Sequence, residues 1–302
     1  MGTIAYNVKF LGSNEEVMSE VDLKLKELNE SLSTYIPDSE ISKLNRDSEH
    51  SFSTDYFYPV LEKSKEIFEI TSGTFDPSVG PLVEAWGFGP NKTIPDLSRE
   101  SIDSLKGMTG FAEVKFDKEQ VSIPKGFKLD FGAIAKGYAV DIVAQVLENY
   151  DISNYMIEIG GEVRAKGKND KGKTWSLGIE DPMVEKEERK IIAVAKLKDR
   201  SMATSGNYRN YYQKDGKIFA HILDPRTGYN ASHRLLSVSV FAEDCMTADA
   251  FATAFMVLGK DESLKIVEEN SDLDAVFIFV DDDENLANLV SDGMKPFVKF
   301  VN

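Results

Sequence analysis

Short turns between strand-like segments constrain this fold more than any other feature of the sequence. Strand patterns at 113–117 and 120–123 are only a few residues apart, and the segment 201–228 has a hairpin pattern with KDGK as a tight turn. Such short connections join antiparallel neighbours, because parallel strands need a crossover of a dozen or more residues. Helical patterns are interspersed among the strands. We therefore predict an α+β fold with mixed, largely antiparallel sheets flanked by helices, not a doubly wound parallel sheet.

Helix boundaries can be predicted from apolar spacing and capping residues. Apolar residues recur every three or four positions over 14–35, which indicates an amphipathic helix. A second helix is expected over 54–71, and a short one over 98–106 begins after Ser98. The polar segment 36–47 is interpreted as a loop with a short turn.

Composition excludes several classes of function. The chain has 302 residues, 51 acidic and 35 basic, for a net charge of −16. This balance disfavours binding to nucleic acid or to an anionic membrane surface. The sequence has no run of 18 apolar residues, so it predicts no transmembrane helix. One cysteine excludes an internal disulfide framework, and three histidines argue against a histidine-rich metal site.

An apolar stretch over 244–259 carries two polar residues four positions apart, Asp249 and Thr253. Residues with this spacing share one face of a helix. One interpretation places Thr247 at the N-cap and Asp249 in the first turn, where a carboxylate stabilises the helix dipole. The alternative is a site for a hard cation such as Mg²⁺, which prefers oxygen ligands. The pattern alone leaves both open.

The segment 129–141, LDFGAIAKGYAVD, is typical of a strand end, a glycine-containing turn and a long helix. Gly132 and Gly137 bracket the turn, with Lys136 inside it and Asp130 just before it. Such a turn can leave backbone groups free for a ligand, although its spacing is not that of a Walker loop. An ordinary glycine turn explains most of the pattern, but a carboxylate at a strand end is a stronger indication of a site.

Three further features have a structural and a functional interpretation. The paired glycines in 158–167 indicate a β-bulge, or bare backbone against a flat ligand or phosphate. His221 is either a core residue or, with an ordinary pKa of about 6.5, the best general-base candidate. Cys245 lacks a positive neighbour and is expected to be a small buried residue.

Taken together, these motifs resemble the ApbE family, the FAD:protein FMN transferases. The resemblance covers nearly the full length, in the order that the family has. It is carried by MGT at 1–3, SEISKLN at 39–45, GTFDPSVGPLVEAWGFGP at 73–90, LDFGAIAKGYAVD at 129–141, IEIGGEVRAKG at 157–167, ATSGNYRNY at 203–211, HILDPRTG at 221–228 and TADAFATAF at 247–255. Each motif is weak alone, and the conjunction is specific.

The resemblance implies a reaction and a fold. Such enzymes use Mg²⁺ to split the pyrophosphate of FAD, pass FMN to a threonine hydroxyl of an acceptor flavoprotein, and release AMP. The acceptors are redox-pump or electron-transfer proteins. The implied fold is ApbE-like and related to the T-fold. We expect one domain over 1–302, which could divide into two lobes with the site between them.

The resemblance also implies roles for individual residues. Asp249 and Thr253 match side-chain ligands of the metal, and Ala133 matches a position that binds it through the backbone carbonyl. His221 matches the base that deprotonates the acceptor threonine. Positions that contact FAD are matched by Met1, Trp86, Gly87, Phe88, Asp130, Lys136 and Leu223. Trp86 or Phe88 could stack on a ring, and some relatives carry glutamate at the position of Lys136.

Two other activities stay open at this point. One is an Mg²⁺-dependent FAD pyrophosphatase that yields FMN and AMP, and the other is a protein that binds FAD without turnover. A metal site and a base would be superfluous for storage alone. Because MGT follows an export or lipoprotein segment in exported members, we expect a periplasmic or other extracytoplasmic protein, membrane-anchored in its full-length form, although no signal peptide is visible.

Overall fold

A computed structural model describes residues 4–12, 15–89, 97–184, 188, 190–207, 211–214, 217–220, 222–231 and 233–301. Within these ranges the chain forms eight α-helices and fifteen β-strands. The helices are α1 (Glu15–Leu32), α2 (Glu40–Asp47), α3 (Phe57–Ile70), α4 (Gly80–Ala85), α5 (Arg99–Lys106), α6 (Ala135–Asn149), α7 (Cys245–Leu258) and α8 (Lys260–Glu269). The strands are β1 (Tyr6–Phe10), β2 (Glu49–Ser51), β3 (Lys115–Phe116), β4 (Gln120–Ser122), β5 (Tyr155–Ile159), β6 (Glu162–Lys166), β7 (Trp175–Glu180), β8 (Ile191–Leu197), β9 (Arg200–Gly206), β10 (Tyr211–Lys214), β11 (Lys217–Ala220), β12 (Leu235–Ala242), β13 (Asp274–Val280), β14 (Leu286–Val290) and β15 (Val298–Phe300).

A seven-stranded antiparallel sheet, in the order β1-β5-β6-β9-β12-β13-β14, forms the centre of the fold. Helices α1, α3, α6 and α7 pack on one face of this sheet, and the three-stranded sheet β15-β8-β7 packs on the other. Strand β13 shows why both faces are covered. Ala275 and Phe277 contact the helical side, whereas Val276 and Ile278 contact the small sheet. Since successive strand residues point to opposite faces, β13 is apolar from Ala275 to Val280.

The predicted fold class and most of the predicted helix and strand boundaries are confirmed. The α+β architecture is antiparallel at every pairing of its named strands. Ser98 caps α5 by accepting a hydrogen bond from the Ser101 amide at 3.2 Å. Strands β10 and β11 pair as the hairpin expected around KDGK. In the described part of the chain, no helix combines the length and apolarity that crossing a membrane requires.

The prediction of a loop over 36–47 is wrong for most of its length, because residues 40–47 form α2. Ser39 caps this helix and accepts from the Ser42 amide at 3.2 Å. Ile41 and Leu44, three positions apart, are buried, while the other faces are largely polar. Two apolar residues in eight are too few to stand out as a helical period, so the sequence pattern favoured a loop.

A buried carboxylate fixes α2 against its neighbours. Glu40 is only 2% exposed and accepts hydrogen bonds from the hydroxyls of Ser31, Ser53 and Thr54 and from the Ser53 amide. Burial acts to raise the pKa of Glu40, but these donors outweigh it and hold the pKa below its ordinary value. The ionised side chain therefore joins the end of α1, the start of α2 and the segment before α3.

The paired glycines form a hairpin turn, so the prediction of a β-bulge is wrong. Gly160 and Gly161 connect β5 to β6 as a two-residue loop between the paired residues Ile159 and Glu162. Their φ angles are 66° and 106°, which is the backbone region that such tight hairpins require and that glycine adopts freely. The turn places Glu162 at the first position of β6, next to Lys136 of α6.

Candidate active site

The site lies where two helices that are distant in sequence cross. Gly137, in the first turn of α6, packs directly on the start of α7. A Cβ added to Gly137 would lie 2.2 Å from the Cys245 carbonyl oxygen and 2.8 Å from the Asp249 Cβ. No side chain fits at such distances, so glycine at this position sets the separation of α6 and α7.

The N-cap of α7 is Asp244, and the prediction that Thr247 caps the helix is wrong. The Asp244 carboxylate accepts from the Thr247 amide at 2.7 Å. Asp141 of α6 accepts from the amides of the first two residues of α7, at 2.9 and 2.8 Å. Burial and the nearby Asp244 raise the pKa of Asp141 to about 6. These two carboxylates accept from the free amides at the start of α7. Asp249 lies in the second turn of the helix, so it is not needed for capping.

Both carboxylate oxygens of Asp249 are bound by α6. Its side chain is 2% exposed; Oδ1 lies 3.0 Å from the Lys136 Nζ, and Oδ2 accepts from the Gly137 amide at 2.9 Å. One turn further along α7, the Thr253 hydroxyl lies 3.4 Å from the Ser205 hydroxyl on β9. Asp249 and Thr253 thus stand in line along α7, facing α6 and β9 respectively.

Lys136 is shared between two acidic side chains. Its Nζ lies 2.8 Å from the Glu162 Oε1, on the β5–β6 hairpin, as well as close to Asp249. Burial raises the pKa of Glu162 to about 7, an effect that Lys136 opposes and Asp249 reinforces. Burial acts to lower the pKa of Lys136, but the two carboxylates raise it above its ordinary value. Sequence reasoning did not select Glu162, whose only signal is its place directly after the paired glycines.

The donors at this crossing suit a hard cation. Asp249, Thr253 and the Ala133 carbonyl would all present oxygen. The Gly137 amide donates to Asp249 instead of to Ala133 four positions earlier, and no amide of the described residues bonds to the Ala133 carbonyl. Among those residues no group of three or more His, Cys, Asp or Glu side chains is placed to hold a metal. A cation here would take its remaining ligands from water or substrate.

A cavity of about 240 Å³ opens beside Asp130, at the start of the same turn. It is lined by Thr34, Ser42, Asn45, Arg46, Gly80, Glu84, Lys128, Leu129 and Asp130. The Asp130 carboxylate accepts from the Gly132 amide at 2.7 Å. Burial, followed by the charge of Glu84, raises the pKa of Asp130 above its ordinary value. Two cationic side chains, Arg46 and Lys128, line this cavity in an otherwise acidic protein.

Tyr35 is an exposed aromatic residue that sequence reasoning did not select. It follows the cavity residue Thr34, and 62% of its surface is exposed. Partial desolvation and the charge of Asp130 raise the pKa of the Tyr35 phenol. An exposed aromatic ring close to a cavity can cover a planar ligand. Its sequence signal was weak, since it is one of 11 tyrosines and lies in a short loop.

The aromatic motif after α4 packs against the turn at 224–229. Trp86 is 7% exposed, and its Nε1 donates to the Gly228 carbonyl at 2.9 Å. Leu223 is buried in the same cluster, against which Phe88 packs. The structure therefore brings Trp86, Phe88 and Leu223 together, with Trp86 buried in the cluster. Gly87 adopts a positive φ of 78° between the two rings.

The predicted site residues thus fall into three connected groups. The first group lies at the helix crossing and comprises Asp249, Thr253 and Lys136, with Ala133 in the turn just before α6. The second group is Asp130, which lines the cavity, and the third is the aromatic motif at the end of α4. Met1 and His221 lie outside the described residues. The turn over 130–137 connects the first two groups, and α4, which contributes Glu84 to the cavity, connects the last two.

The antiparallel α+β fold matches solved ApbE structures with TM-scores of 0.85 and 0.86. The ApbE family model matches residues 1–277. The chain therefore belongs to the ApbE family, which confirms the resemblance inferred from the motifs.

Relatives of this family are similar along nearly the whole chain. The FAD:protein FMN transferase of Haemophilus influenzae is 38% identical, over 98% of this chain and 88% of that protein. That of Vibrio cholerae is 37% identical, over 99% and 90%. Among solved structures, the flavin transferase ApbE from Vibrio cholerae has a TM-score of 0.85 at 35% identity and covers 97% of this chain and 95% of its own. The apo form of Pseudomonas stutzeri flavinyl transferase ApbE has a TM-score of 0.86 at 30% identity, with coverage of 97% and 92%.

Proposed function

We propose that this protein transfers FMN from FAD to a threonine hydroxyl of an acceptor flavoprotein, with Mg²⁺, and releases AMP. The names of the relatives support the transfer of FMN from FAD to protein. The observation that carries the proposal is the position of Asp249, buried at the α6–α7 crossing and in line with Thr253. A buried carboxylate that the helix terminus does not need, in line with a hydroxyl on the same helix, suits a cation that binds phosphate.

In this proposal Asp249, Thr253 and the carbonyl of Ala133 hold Mg²⁺. When bound, the ion would neutralise charge on the pyrophosphate and polarise the phosphorus that is attacked. Lys136, whose Nζ lies 2.8 Å from the Glu162 carboxylate, keeps an ammonium beside the site. These local positive charges offset the repulsion between an anionic substrate and a chain of net charge −16.

The remaining residues bind and orient the substrate. Asp130 borders the cavity, where Arg46 and Lys128 supply positive charge. A site that holds both reactants in line lowers the entropic part of the barrier. His221 is proposed as the general base that takes the proton of the acceptor threonine, a role that typically contributes about 10²–10⁴-fold. Redox-pump or electron-transfer flavoproteins are the proposed acceptors, in an extracytoplasmic compartment.

The proposal is tested by incubating the protein with FAD, Mg²⁺ and an acceptor domain that carries the threonine motif. The intact mass of the acceptor and the release of AMP are followed together. We expect an acceptor heavier by one FMN, with AMP in equal amount, and loss of both products with EDTA. An acceptor with valine in place of the threonine is the matched control. AMP without labelling of any acceptor would indicate the pyrophosphatase, and bound FAD with neither product would indicate a storage protein.

Asn45 of α2 holds the segment that carries Asp130, where the predicted strand end is only an isolated bridge between Val79 and Lys128. Its side-chain amide donates to the Leu129 carbonyl at 2.8 Å and accepts from the Leu129 amide at 2.7 Å. We expect Asn45→Ala to raise the FAD concentration for half-maximal AMP release by about tenfold, because residues that orient a site typically contribute that much. Loss of two hydrogen bonds should also lower the free energy of unfolding by about 2 kcal/mol in urea denaturation.

Asn29→Ala is the matched control for this prediction. Within the part of the chain that the structure describes, the Asn29 side-chain amide donates only to the Leu25 carbonyl of its own helix α1, at 2.7 Å. An Asn45→Ala protein with wild-type dependence on FAD would contradict a role for Asn45 in positioning Asp130.

A further inference from the structure

One ammonium group serves two buried carboxylates at the helix crossing. The Lys136 Nζ lies 2.8 Å from the Glu162 Oε1 and 3.0 Å from the Asp249 Oδ1. The two acidic side chains are 5% and 2% exposed. The second oxygen of Glu162, Oε2, is buried and accepts no hydrogen bond from any other described residue. Glu162 therefore depends on Lys136, whereas Asp249 has a second donor in Gly137.

A divalent cation at Asp249 would compete with this ammonium. Both would bind the same carboxylate, and two cations a few ångströms apart in a buried site repel each other strongly. Asp249 keeps the Gly137 amide on Oδ2, so Oδ1 is the oxygen from which Lys136 would move. The lysine has a place to remain, because the Glu162 Oε1 is already within hydrogen-bond distance of its Nζ.

We propose that Lys136 is the counter-ion that occupies Asp249 before the metal binds, and that Glu162 is the positioning residue that retains the ammonium when the metal displaces it. This inference rests on the proposed function, since it takes Asp249 as a metal ligand. It assigns Glu162 a role through Lys136 and not as a ligand.

The test is a titration of the FAD-free protein with Mn²⁺ as a probe for the divalent site, followed by electron paramagnetic resonance of free Mn²⁺. Lys136→Met removes the competitor and is expected to tighten Mn²⁺ binding by about tenfold or more. Glu162→Gln leaves the lysine with Asp249 as its only anionic partner and is expected to weaken Mn²⁺ binding by about tenfold. In the Lys136→Met background, Glu162→Gln should change the dissociation constant by less than about threefold, because the residue then has no ammonium to hold.

The Lys166–Glu148 ion pair provides matched controls. It joins β6 to α6 at 3.0 Å, at the end of the hairpin away from Glu162. Lys166→Met and Glu148→Gln change the net charge by the same amounts as Lys136→Met and Glu162→Gln. They should alter the dissociation constant for Mn²⁺ by less than about twofold at 0.15 M salt. Urea denaturation of every variant verifies that the native fold is being titrated.

Two results would overturn the inference and leave the proposed function intact. One is an unchanged Mn²⁺ affinity in Lys136→Met. The other is an equal loss from Glu162→Gln in both backgrounds, which would make Glu162 a direct ligand. If Asp249→Asn binds Mn²⁺ as tightly as the wild-type protein, the metal site is elsewhere, and both the inference and the metal part of the proposed function are wrong.

Discussion

Asp249→Asn is expected to reduce Mg²⁺-dependent AMP release from FAD by about 10³-fold or more, while the protein stays folded. Loss of the carboxylate removes the one charged ligand proposed for the cation, and bound metal typically contributes several kcal/mol to such a reaction. Folding should persist because asparagine has nearly the same shape and its oxygen can still accept from the Gly137 amide, now at 2.9 Å. Lys136 would remain paired with Glu162 at 2.8 Å.

The measurement is the initial rate of AMP release at saturating FAD over a range of Mg²⁺ concentrations, with circular dichroism as the check on folding. Asp244→Asn is the matched control, because it makes the same chemical change on the same helix. Asp244 is the N-cap, where asparagine serves as well as aspartate, so the activity and stability of this variant should be close to wild type. If the rate of AMP release by the Asp249→Asn enzyme is within about tenfold of the wild-type rate, the metal assignment is wrong.

Gly137→Ala is expected to lower the free energy of unfolding by about 3 kcal/mol and to weaken the site at the same time. The added methyl group would lie 2.2 Å from the Cys245 carbonyl oxygen and 2.8 Å from the Asp249 Cβ. Neither atom can rotate away, because one belongs to the backbone and the other is the first atom of a short side chain. The helices α6 and α7 must move apart. This movement would lengthen the 2.9 Å hydrogen bond from the Gly137 amide to Asp249, so Mg²⁺ affinity should fall together with stability.

Urea denaturation measures the first effect and a Mg²⁺ titration of activity measures the second. Gly107→Ala is the control, since Gly107 is exposed after the last turn of α5 and has a negative φ of −65°. Its added Cβ would lie 3.2 Å from the Ser104 carbonyl, a contact that a small shift at a helix end relieves. The close-crossing argument is wrong if Gly137→Ala unfolds at the urea concentration of the wild-type protein.

Local sequence signals were sufficient where a segment carries its own information. Ser98 caps α5 as expected, because a serine before a polar helix offers its oxygen to the next turn whatever surrounds it. The hairpin of β10 and β11 follows from turn chemistry in the same way. The regular apolar spacing over 14–35 predicted α1, since one side of that helix is buried over its whole length.

The same signals failed where tertiary contacts outweigh them. Helix α2 is stabilised by a carboxylate, Glu40, whose donors come from two other segments, so its own composition resembles that of a loop. Thr247 and Asp244 are both good capping residues, and the choice of Asp244 became evident only in the structure, where Asp141 of α6 also binds the first amides of α7.

By itself, the sequence determined the α+β class, the family, and the candidates Asp249, Thr253, Lys136 and Asp130, because motif order and helical spacing are properties of the chain alone. Only the tertiary structure decided what surrounds them. Asp249 meets Lys136 and Gly137 across separations of 113 and 112 residues, and Glu162 joins them from a hairpin turn. Electrostatic interactions in a buried site depend on distances of a few ångströms, and no spacing along the sequence specifies such distances between elements that are far apart in the chain.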